Sequence, residues 1–136
     1  MEDCIFCQIV AGRIPATKIY EDEDVLAFLD ISQATKGHAL LIPKQHVRNL
    51  FEMTSDTASH LFAHLPRLAR AIKTATKAQG LNVVNNNEAI AGQTVFHAHV
   101  HLLPRYPDDG LDIRFKTHSP DSASLEKLAA QIAKEV

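Results

Sequence analysis

The chain lacks several features that would point to a membrane or a nucleic-acid partner. No run of 18 apolar residues occurs, and the N-terminal stretch has neither the positive region nor the long apolar segment of a secretory signal. It has no polybasic tract, since 14 Lys and Arg stand against 16 Asp and Glu for a net charge of −2. We therefore expect a cytoplasmic protein that binds neither a membrane nor a nucleic acid.

Glycine-rich phosphate loops are also absent, since neither GxxxxGK[ST] nor GxGxxG occurs in the sequence. Any nucleotide must therefore be held locally by a few placed side chains. A length of 136 residues with 46% apolar side chains predicts a single domain over residues 1–136 that buries a real core.

Cysteine occurs only as one CxxC pair, Cys4 and Cys7. In a reducing compartment this spacing suits a metal ion or a redox couple better than a structural disulfide. A thioredoxin-like role is the least favoured, because the pair does not lie between a strand and a helix of a βαβ unit. The alternative is two small buried apolar residues on a short helix.

Hydrophobic periodicity predicts an α+β fold in which a helix crosses one face of an antiparallel sheet. The long helix begins at Thr54 or Ser55 and runs to about Gln79, with Gly80 as its stop and Pro66 kinking or dividing it. The other predicted elements are a short helix over 4–10, strands over 18–21, 25–29, 38–42, 81–85 and 95–103, and a terminal helix over 122–135.

The most informative segment contains three alternate histidines, His97, His99 and His101. Alternate side chains of a strand share one face, so a strand here would set the three imidazoles in a row at a spacing of ~6.5–7 Å. The apolar residues between them would face the other way; these are Phe96, Ala98, Val100 and Leu102.

Such a row of imidazoles has two chemical uses. Neutral imidazoles can converge on Zn²⁺ and leave a position open for an activated water. Alternatively, one imidazole nitrogen attacks a phosphoryl centre while its neighbours donate protons. The preceding Gly92, Gln93 and Thr94 favour the second use, because small polar side chains and a close backbone can bind phosphate oxygens.

The remaining histidines outside the second motif described below have simpler interpretations. His60 and His64 lie four residues apart on the long helix but lack the Glu of an HExxH motif, so we interpret them as helix-surface residues. His118 lies in a loop-rich tail and should be solvated. His38 follows Gly37 at a strand start, where a structural hydrogen bond is the favoured interpretation.

Three ordered motifs resemble the histidine triad (HIT) family over roughly residues 4 to 105. Residues 97–103 (HAHVHLL) resemble its His-x-His-x-His-x-x motif, where x is apolar, and residues 37–46 (GHALLIPKQH) resemble its second motif. Ile5-Phe6, Ile14-Pro15 and residues 28–32 (FLDIS) match further positions in order.

The resemblance implies a HIT-like α+β fold with a five-stranded antiparallel sheet, one long helix packed on it, and short N-terminal and C-terminal helices. Residues 105–136 would be a variable tail. Many members form two-fold dimers whose sheets join, so a homodimer is expected. The family acts on nucleotides substituted at the α-phosphate, as hydrolases or transferases, through a covalent nucleotidyl-histidine.

Carried over by position, the resemblance assigns a role to each site residue. His99 would be the nucleophile, His101 the donor to the phosphate or the leaving group, and His97 and His46 the residues that orient His99. Asn85, Gln93 and Thr94 would contact the phosphate, and Asp30 would contact the ribose. An apolar slot would hold the base and would favour a purine; it is formed by Phe6, Ile9, Ile14 and Phe28. Plain core packing for Phe6, Ile9 and Phe28, and a loop-capping role for Asp30, are the alternatives.

In metal-bearing bacterial members, the cysteines resemble half of a zinc site. Cys4, Cys7, His46 and His97 would then form a closed structural site, and catalysis itself would need no cofactor. The expected substrate is a nucleoside phosphoramidate or a related mononucleotide conjugate. Alternatives are a dinucleoside polyphosphate hydrolase, a nucleotide-binding regulatory protein, and a zinc-activated hydrolase with all three triad histidines on the metal.

Overall fold

The computed structural model describes residues 3–136. Its helices are α1 (Ile5–Val10), α2 (Ser55–Phe62), α3 (Leu65–Thr76) and α4 (Ser122–Glu135), with single 3-10 turns at Leu50–Glu52 and Ala89–Ala91. Its strands are β1 (Lys18–Glu21), β2 (Val25–Leu29), β3 (Ala39–Pro43), β4 (Gly80–Val84) and β5 (Val100–Arg105). The α+β fold class is confirmed. No helix of residues 3–136 is both long and apolar enough to cross a bilayer.

The five strands form one antiparallel sheet in the order β1-β2-β3-β5-β4. The central strands are buried on both faces, which explains why β2 and β3 are continuous apolar runs. One face packs against α2 and α3 through Leu61, Leu68 and Ile72. The other face packs against α1 through Phe6 and Ile9, and the histidines lie on this side.

The predicted long helix is divided in two. α2 begins after Thr54, whose side chain accepts a hydrogen bond from the backbone N–H of Thr57, so the predicted N-cap is confirmed. α3 begins at Leu65 with Pro66 in its first turn, where a missing N–H costs nothing. The predicted stop at Gly80 is wrong, because α3 already ends at Thr76 and Gly80 is the first residue of β4.

β5 begins at Val100 and not at Val95, so His97 and His99 precede the strand. The backbone N–H of Ala98 donates to the carbonyl of Val47, a loop residue, over 2.8 Å. The predicted alternation still holds from Ala98 to Leu102, whose apolar members are buried. Phe96 departs from it, because its ring is partly exposed and packs under the guanidinium of Arg48.

Candidate active site

A pocket of about 360 Å³ opens between α1 and the histidine-bearing face of the sheet. Its lining includes His99, His101, Asp30 and Thr94 as the polar residues that the sequence predicted. The predicted apolar slot lines the same pocket with Phe6, Ile9, Ile14 and Phe28. The predicted base and ribose contacts therefore meet His99, His101 and Thr94 around one cavity, whereas Asn85 and Gln93 do not line it.

His99 lies at the wall of this pocket and is held in one tautomer. It is 5% exposed, and its Nδ1–H donates to the carbonyl of His97 over 2.8 Å. The Nε2 atom is thereby left as the nitrogen with a free lone pair. Burial lowers the pKa of His99, against the opposing effect of the His97 carbonyl, so the ring is neutral near pH 7.

A hydrogen bond from the end of β4 holds the backbone of His99, and an aromatic ring of α1 packs against its imidazole. Asn85, just after β4, donates from Nδ2 to the His99 carbonyl over 2.8 Å. The Phe6 ring meets the His99 ring edge-on at 5.2 Å. Asn85 was predicted to hold phosphate, but here it positions the backbone of the proposed nucleophile, and its Oδ1 accepts from Asn87.

His101 is linked to a residue that the sequence interpretation left outside the site. His38 Nε2 lies 2.9 Å from His101 Nδ1, and the backbone N–H of Ala34 donates to His38 Nδ1. Burial, aided by repulsion from His99 and His38, lowers the pKa of His101 to about 4. His38 makes a structural hydrogen bond, as predicted, and this bond connects it to His101 in the site.

Asp30 makes the loop-capping contact and also lines the pocket. Its Oδ1 accepts from the backbone N–H of Ser32 over 2.8 Å, which is the loop-capping contact. Its Oδ2 lies 3.6 Å from His38 Nε2, and the residue lines the pocket. The ligand atoms of Asp30, His38 and His101 converge within 4.8 Å, but the proton on His38 Nε2 makes this a hydrogen-bonded relay and not a metal site.

Gln93 is a correction to the predicted phosphate contacts. Its Nε2 donates to the carbonyls of Arg48 and Val95, and its Oε1 accepts from the Glu88 backbone and from Asn49. Both donors and both acceptor positions are used, so this buried side chain braces the loop. Thr94 is exposed and lines the pocket, and it is the predicted phosphate residue with an available side chain.

A second cluster lies behind the triad and joins the CxxC pair to two histidines. Cys7 Sγ lies 3.2 Å from His46 Nδ1 and 3.5 Å from His97 Nδ1, and Cys4 Sγ lies 3.5 Å from His97 Nδ1. All four ligand atoms lie within 4.8 Å of one another. The edge of a tetrahedron with Zn–S and Zn–N bonds of ordinary length is about 3.6 Å, so the spacing fits one tetrahedral ion.

The protonation pattern of this cluster also fits a metal. His97 Nε2–H donates to the carbonyl of Pro43 over 2.8 Å, which leaves Nδ1 unprotonated toward the sulfurs, as in histidines that bind metals. Burial lowers the pKa of His97 to about 4, so the ring stays neutral. Burial and the adjacent Cys4 raise the pKa of the Cys7 thiol, which a bound cation would reverse.

His97 therefore faces the cysteines and not the reacting histidines. Among residues 3–136, the two groups with converging metal-ligand atoms separate His97 from His101, and neither includes His99. This geometry is contrary to a hydrolase with all three triad histidines on one ion. His60 is exposed near Asp24 and Asp56, and His118 is exposed, as predicted. His64 instead lies between α2 and α3, partly buried, where it contacts the Tyr20 ring and Asp22.

Comparison with known proteins agrees with this geometry. Residues 11–108 match the family profile described as HIT domain. The chain is 51% identical to "Protein hit" of Bacillus subtilis over 138 residues, which covers 99% of this chain and 95% of that protein. It is 37% identical to "Adenylylsulfatase HINT3" of Arabidopsis thaliana, covering 96% of this chain and 66% of that protein.

Solved structures share the fold from end to end. A Streptococcus mutans protein superposes with a TM-score of 0.97 at 66% identity, over 99% of this chain and 86% of its own. A histidine triad nucleotide-binding protein from Candida albicans gives 0.89 at 33% identity, over 98% and 96%. A Zn-bound histidine triad family protein from Mycobacterium smegmatis gives 0.77 at 38% identity, over 99% of both chains. The chain belongs to the histidine triad (HIT) family.

Proposed function

We propose that this protein is a nucleotidyl hydrolase or transferase acting through a covalent nucleotidyl-histidine on His99. Its substrate would be a nucleoside phosphoramidate or a related purine mononucleotide conjugate, cleaved at the α-phosphate. The observation that carries the proposal is the hydrogen bond from His99 Nδ1 to the His97 carbonyl, which leaves a neutral imidazole nitrogen unprotonated in a nucleotide-sized pocket. The names of the Arabidopsis and Candida relatives support nucleotide chemistry.

In the first step, the lone pair of His99 Nε2 attacks the α-phosphorus and the bond to the leaving group breaks. The departing nitrogen or oxygen accepts a hydrogen bond from His101 Nε2–H and takes its proton from solvent, so it leaves as a neutral amine or alcohol. His99 now carries the nucleotidyl group on Nε2 and keeps its Nδ1–H on the His97 carbonyl. The substituted imidazole is positively charged, and the negative end of the His97 carbonyl dipole stabilises that charge.

In the second step, water attacks the same phosphorus and releases a proton to solvent. The bond between phosphorus and His99 breaks, and its electron pair returns to Nε2. The products are a nucleoside monophosphate and the enzyme in its starting protonation state. An acceptor other than water would make the same reaction a transfer.

The other pocket residues would bind the parts of the nucleotide that do not react. Asp30 would accept hydrogen bonds from the ribose hydroxyls, and Thr94 would donate to a phosphate oxygen. The slot formed by Phe6, Ile9, Ile14 and Phe28 offers stacking and apolar area that suits a purine. Phe6 and Phe28, whose rings are 5.7 Å apart, also belong to the core, so one set of side chains would serve both purposes.

Cys4, Cys7, His46 and His97 would hold a structural zinc ion, and the zinc-bound Mycobacterium smegmatis relative supports this assignment. The ion would tie α1 to the segment before β5. His97 would then act on His99 through its backbone carbonyl while its ring binds the metal. No step of the proposed turnover passes through the ion.

The test is release of a fluorescent amine from adenosine 5′-phosphoramidate in the presence of a chelator. We expect turnover by the wild type, equal turnover by the control variant His60→Ala, and a loss of at least about 10⁴-fold in His99→Ala. Mass spectrometry of wild type quenched with denaturant at alkaline pH, where the phosphorus–nitrogen bond survives, should detect an adenylylated chain that His99→Ala does not form.

Two outcomes would replace the proposal with its alternatives. Hydrolysis of dinucleoside polyphosphates without release of the amine would make the protein a dinucleoside polyphosphate hydrolase. Tight nucleotide binding without turnover of either substrate would favour a regulatory binding protein. Wild-type turnover by His99→Ala would remove the covalent mechanism.

A further inference from the structure

A second cavity, of about 590 Å³, opens beside the CxxC pair and shares Thr94 with the proposed nucleotide pocket. Cys4 and His46 line this cavity, and Cys7 does not. Both cysteines are half-buried, and neither is in a disulfide. A small solute that enters the cavity therefore meets Cys4 before Cys7.

The two sulfur atoms are placed to bond with each other. They lie within 4.8 Å, and the backbone N–H of Cys7 donates to Cys4 Sγ over 3.4 Å. A disulfide needs an S–S separation of ~2.05 Å. Cys4 precedes α1 in extended backbone, so its side chain can rotate toward Cys7 without unwinding the helix. The sequence has no third cysteine, so within one chain these two can pair only with each other.

Metal binding would hold both sulfurs in their reactive form. A thiol that coordinates a cation is deprotonated, and the thiolate is the form that peroxides oxidise. An accessible thiolate with a second cysteine beside it is typical of redox-sensitive sites. In the proposed zinc site, the Cys4–Cys7 pair has both properties.

The position of α1 depends on this cluster. Among the six residues of α1, only Phe6 and Ile9 are buried, and so short a helix is unstable on its own. The four metal ligands join α1 to the loop after β3 and to the segment before β5. Loss of the ion would leave α1 held mainly by its two buried side chains.

Phe6 lies between the two cysteines in the sequence and connects them to the proposed active site. Its ring meets the His99 ring edge-on at 5.2 Å, and those of His97 and Phe28 at 5.8 and 5.7 Å. It also lines the nucleotide pocket. A displacement of the first turn of α1 would therefore change both the base slot and the packing of the His99 ring.

Building on the proposed zinc site and nucleotide pocket, we infer that Cys4 and Cys7 are a peroxide-sensitive site whose oxidation releases the metal and weakens nucleotide binding. The Cys4 thiolate attacks one oxygen of hydrogen peroxide, the O–O bond breaks, and the departing hydroxide takes a proton from solvent. The Cys7 thiolate then attacks the sulfur of the Cys4 sulfenic acid. The S–S bond forms, the S–O bond breaks, and a second hydroxide becomes water. The two sulfurs lose two electrons in total, and the ion leaves with its charge unchanged.

The test is treatment of the full, zinc-loaded chain with hydrogen peroxide. We expect one zinc ion, measured with a chromogenic chelator, to be released for each disulfide. Mass spectrometry should give a chain lighter by two hydrogen atoms than the reduced, metal-free chain. The Kd for adenosine monophosphate should rise at least about threefold, the size expected when one aromatic contact loosens. Dithiothreitol and zinc together should restore it.

Variants separate the roles of the two cysteines. Cys7→Ser should keep the Cys4 sulfenic acid, which dimedone labels. Cys4→Ser should be labelled at least about fivefold more slowly, because Cys7 does not line the cavity. In the double variant Cys4→Ser, Cys7→Ser, peroxide should leave the Kd for adenosine monophosphate unchanged, which controls for oxidation elsewhere in the chain.

Three results would overturn the inference: zinc retained without a disulfide, a disulfide and zinc loss with an unchanged Kd, or a peroxide response that persists in the double variant. Failure of the proposed function is distinct from these. A reduced, zinc-loaded chain that does not bind adenosine monophosphate would reject the nucleotide site. Hydrogen exchange of the α1 amides would then decide the effect on α1, with faster exchange expected after oxidation and unchanged exchange contrary to it.

Discussion

His38 and His101 share a hydrogen bond of 2.9 Å between Nε2 of the first and Nδ1 of the second. Because the Ala34 backbone N–H donates to His38 Nδ1, the His38 proton must be on Nε2 and His101 Nδ1 must accept it. His101 therefore carries its own proton on Nε2, the nitrogen available to a leaving group. A residue outside the triad motif thus sets the tautomer of a residue within it.

We predict that His38→Ala lowers turnover in a way that depends on the leaving group. Without His38, His101 can also place its proton on Nδ1, where it is useless to the substrate. For phosphoramidates of basic amines, whose departing nitrogen depends most on the hydrogen bond from His101, kcat should fall about 10–100-fold, within the ~10²–10⁴ that a positioned proton donor supplies. For conjugates whose leaving group departs as a stable anion, kcat should change less than threefold.

The conservative variant His38→Gln is the matched comparison, because its amide can accept from Ala34 and donate to His101. It should recover most of the lost rate with the basic amines. An equal loss of rate for both kinds of leaving group would show that His38 supports only the shape of the site. Unfolding by urea checks that the variants are folded.

Metal removal should change stability much more than chemistry. We expect about one zinc per purified chain and loss of that zinc in the double variant Cys4→Ser, Cys7→Ser. The thermal midpoint should fall by at least about 10 °C, because ligand binding to the folded state adds directly to its stability. Below that midpoint, the kcat for adenosine phosphoramidate should stay within a few-fold of the wild type.

The control for metal removal is readdition of zinc to chelated wild type, which should restore the midpoint. A chain that contains no metal and has an unchanged midpoint after cysteine replacement would contradict the assignment. Loss of kcat in the folded, metal-free enzyme would make the ion part of turnover.

Gly37 is predicted to be sensitive to substitution because its backbone has φ of +94° and the side chains of Thr76 and Pro104 occupy the space where a Cβ would lie. A Cβ there would lie 2.7 Å from Thr76 Cγ2 and 3.2 Å from the Pro104 ring. Gly37→Ala should lower the free energy of unfolding by roughly 1–3 kcal/mol, measured in urea. Gly110→Ala is the control: φ is also positive there but no atom lies within 4 Å, so it should cost less.

The sequence could predict the strands and the residues of the site because both follow local rules. Continuous apolar runs mark β2 and β3, and the spacing of His97, His99 and His101 places them on one side whether or not each lies in a strand. The Cys4–Cys7 pair meets His46 and His97 as the family resemblance implied. These are properties of short segments or of a matched motif.

The contacts that were missed depend on long-range register and loop geometry. His38 reaches His101 across 63 residues because Leu40 pairs with His101 in the sheet. Gln93 was predicted from its position before the triad to bind phosphate. The loop between β4 and β5 instead turns at Glu88, with φ of +78°, and aims the Glu88 N–H at the Gln93 side chain. No local pattern in the sequence predicts either contact.

Glu88 should make stability sensitive to acid. Hydrogen bonds from Arg48, and then from Asn49, lower the pKa of its carboxyl from 4.5 to about 2. Because the folded pKa is the lower one, the stabilisation is fully present above pH 4.5 and is lost as the pH falls toward 2. The unfolding free energy of the wild type should fall in that window, and Glu88→Gln should remove part of the decline while lowering stability near pH 7. Because the carboxyl is solvent-exposed, salt should weaken the effect; an identical acid profile for the two proteins would show that Glu88 is not its source.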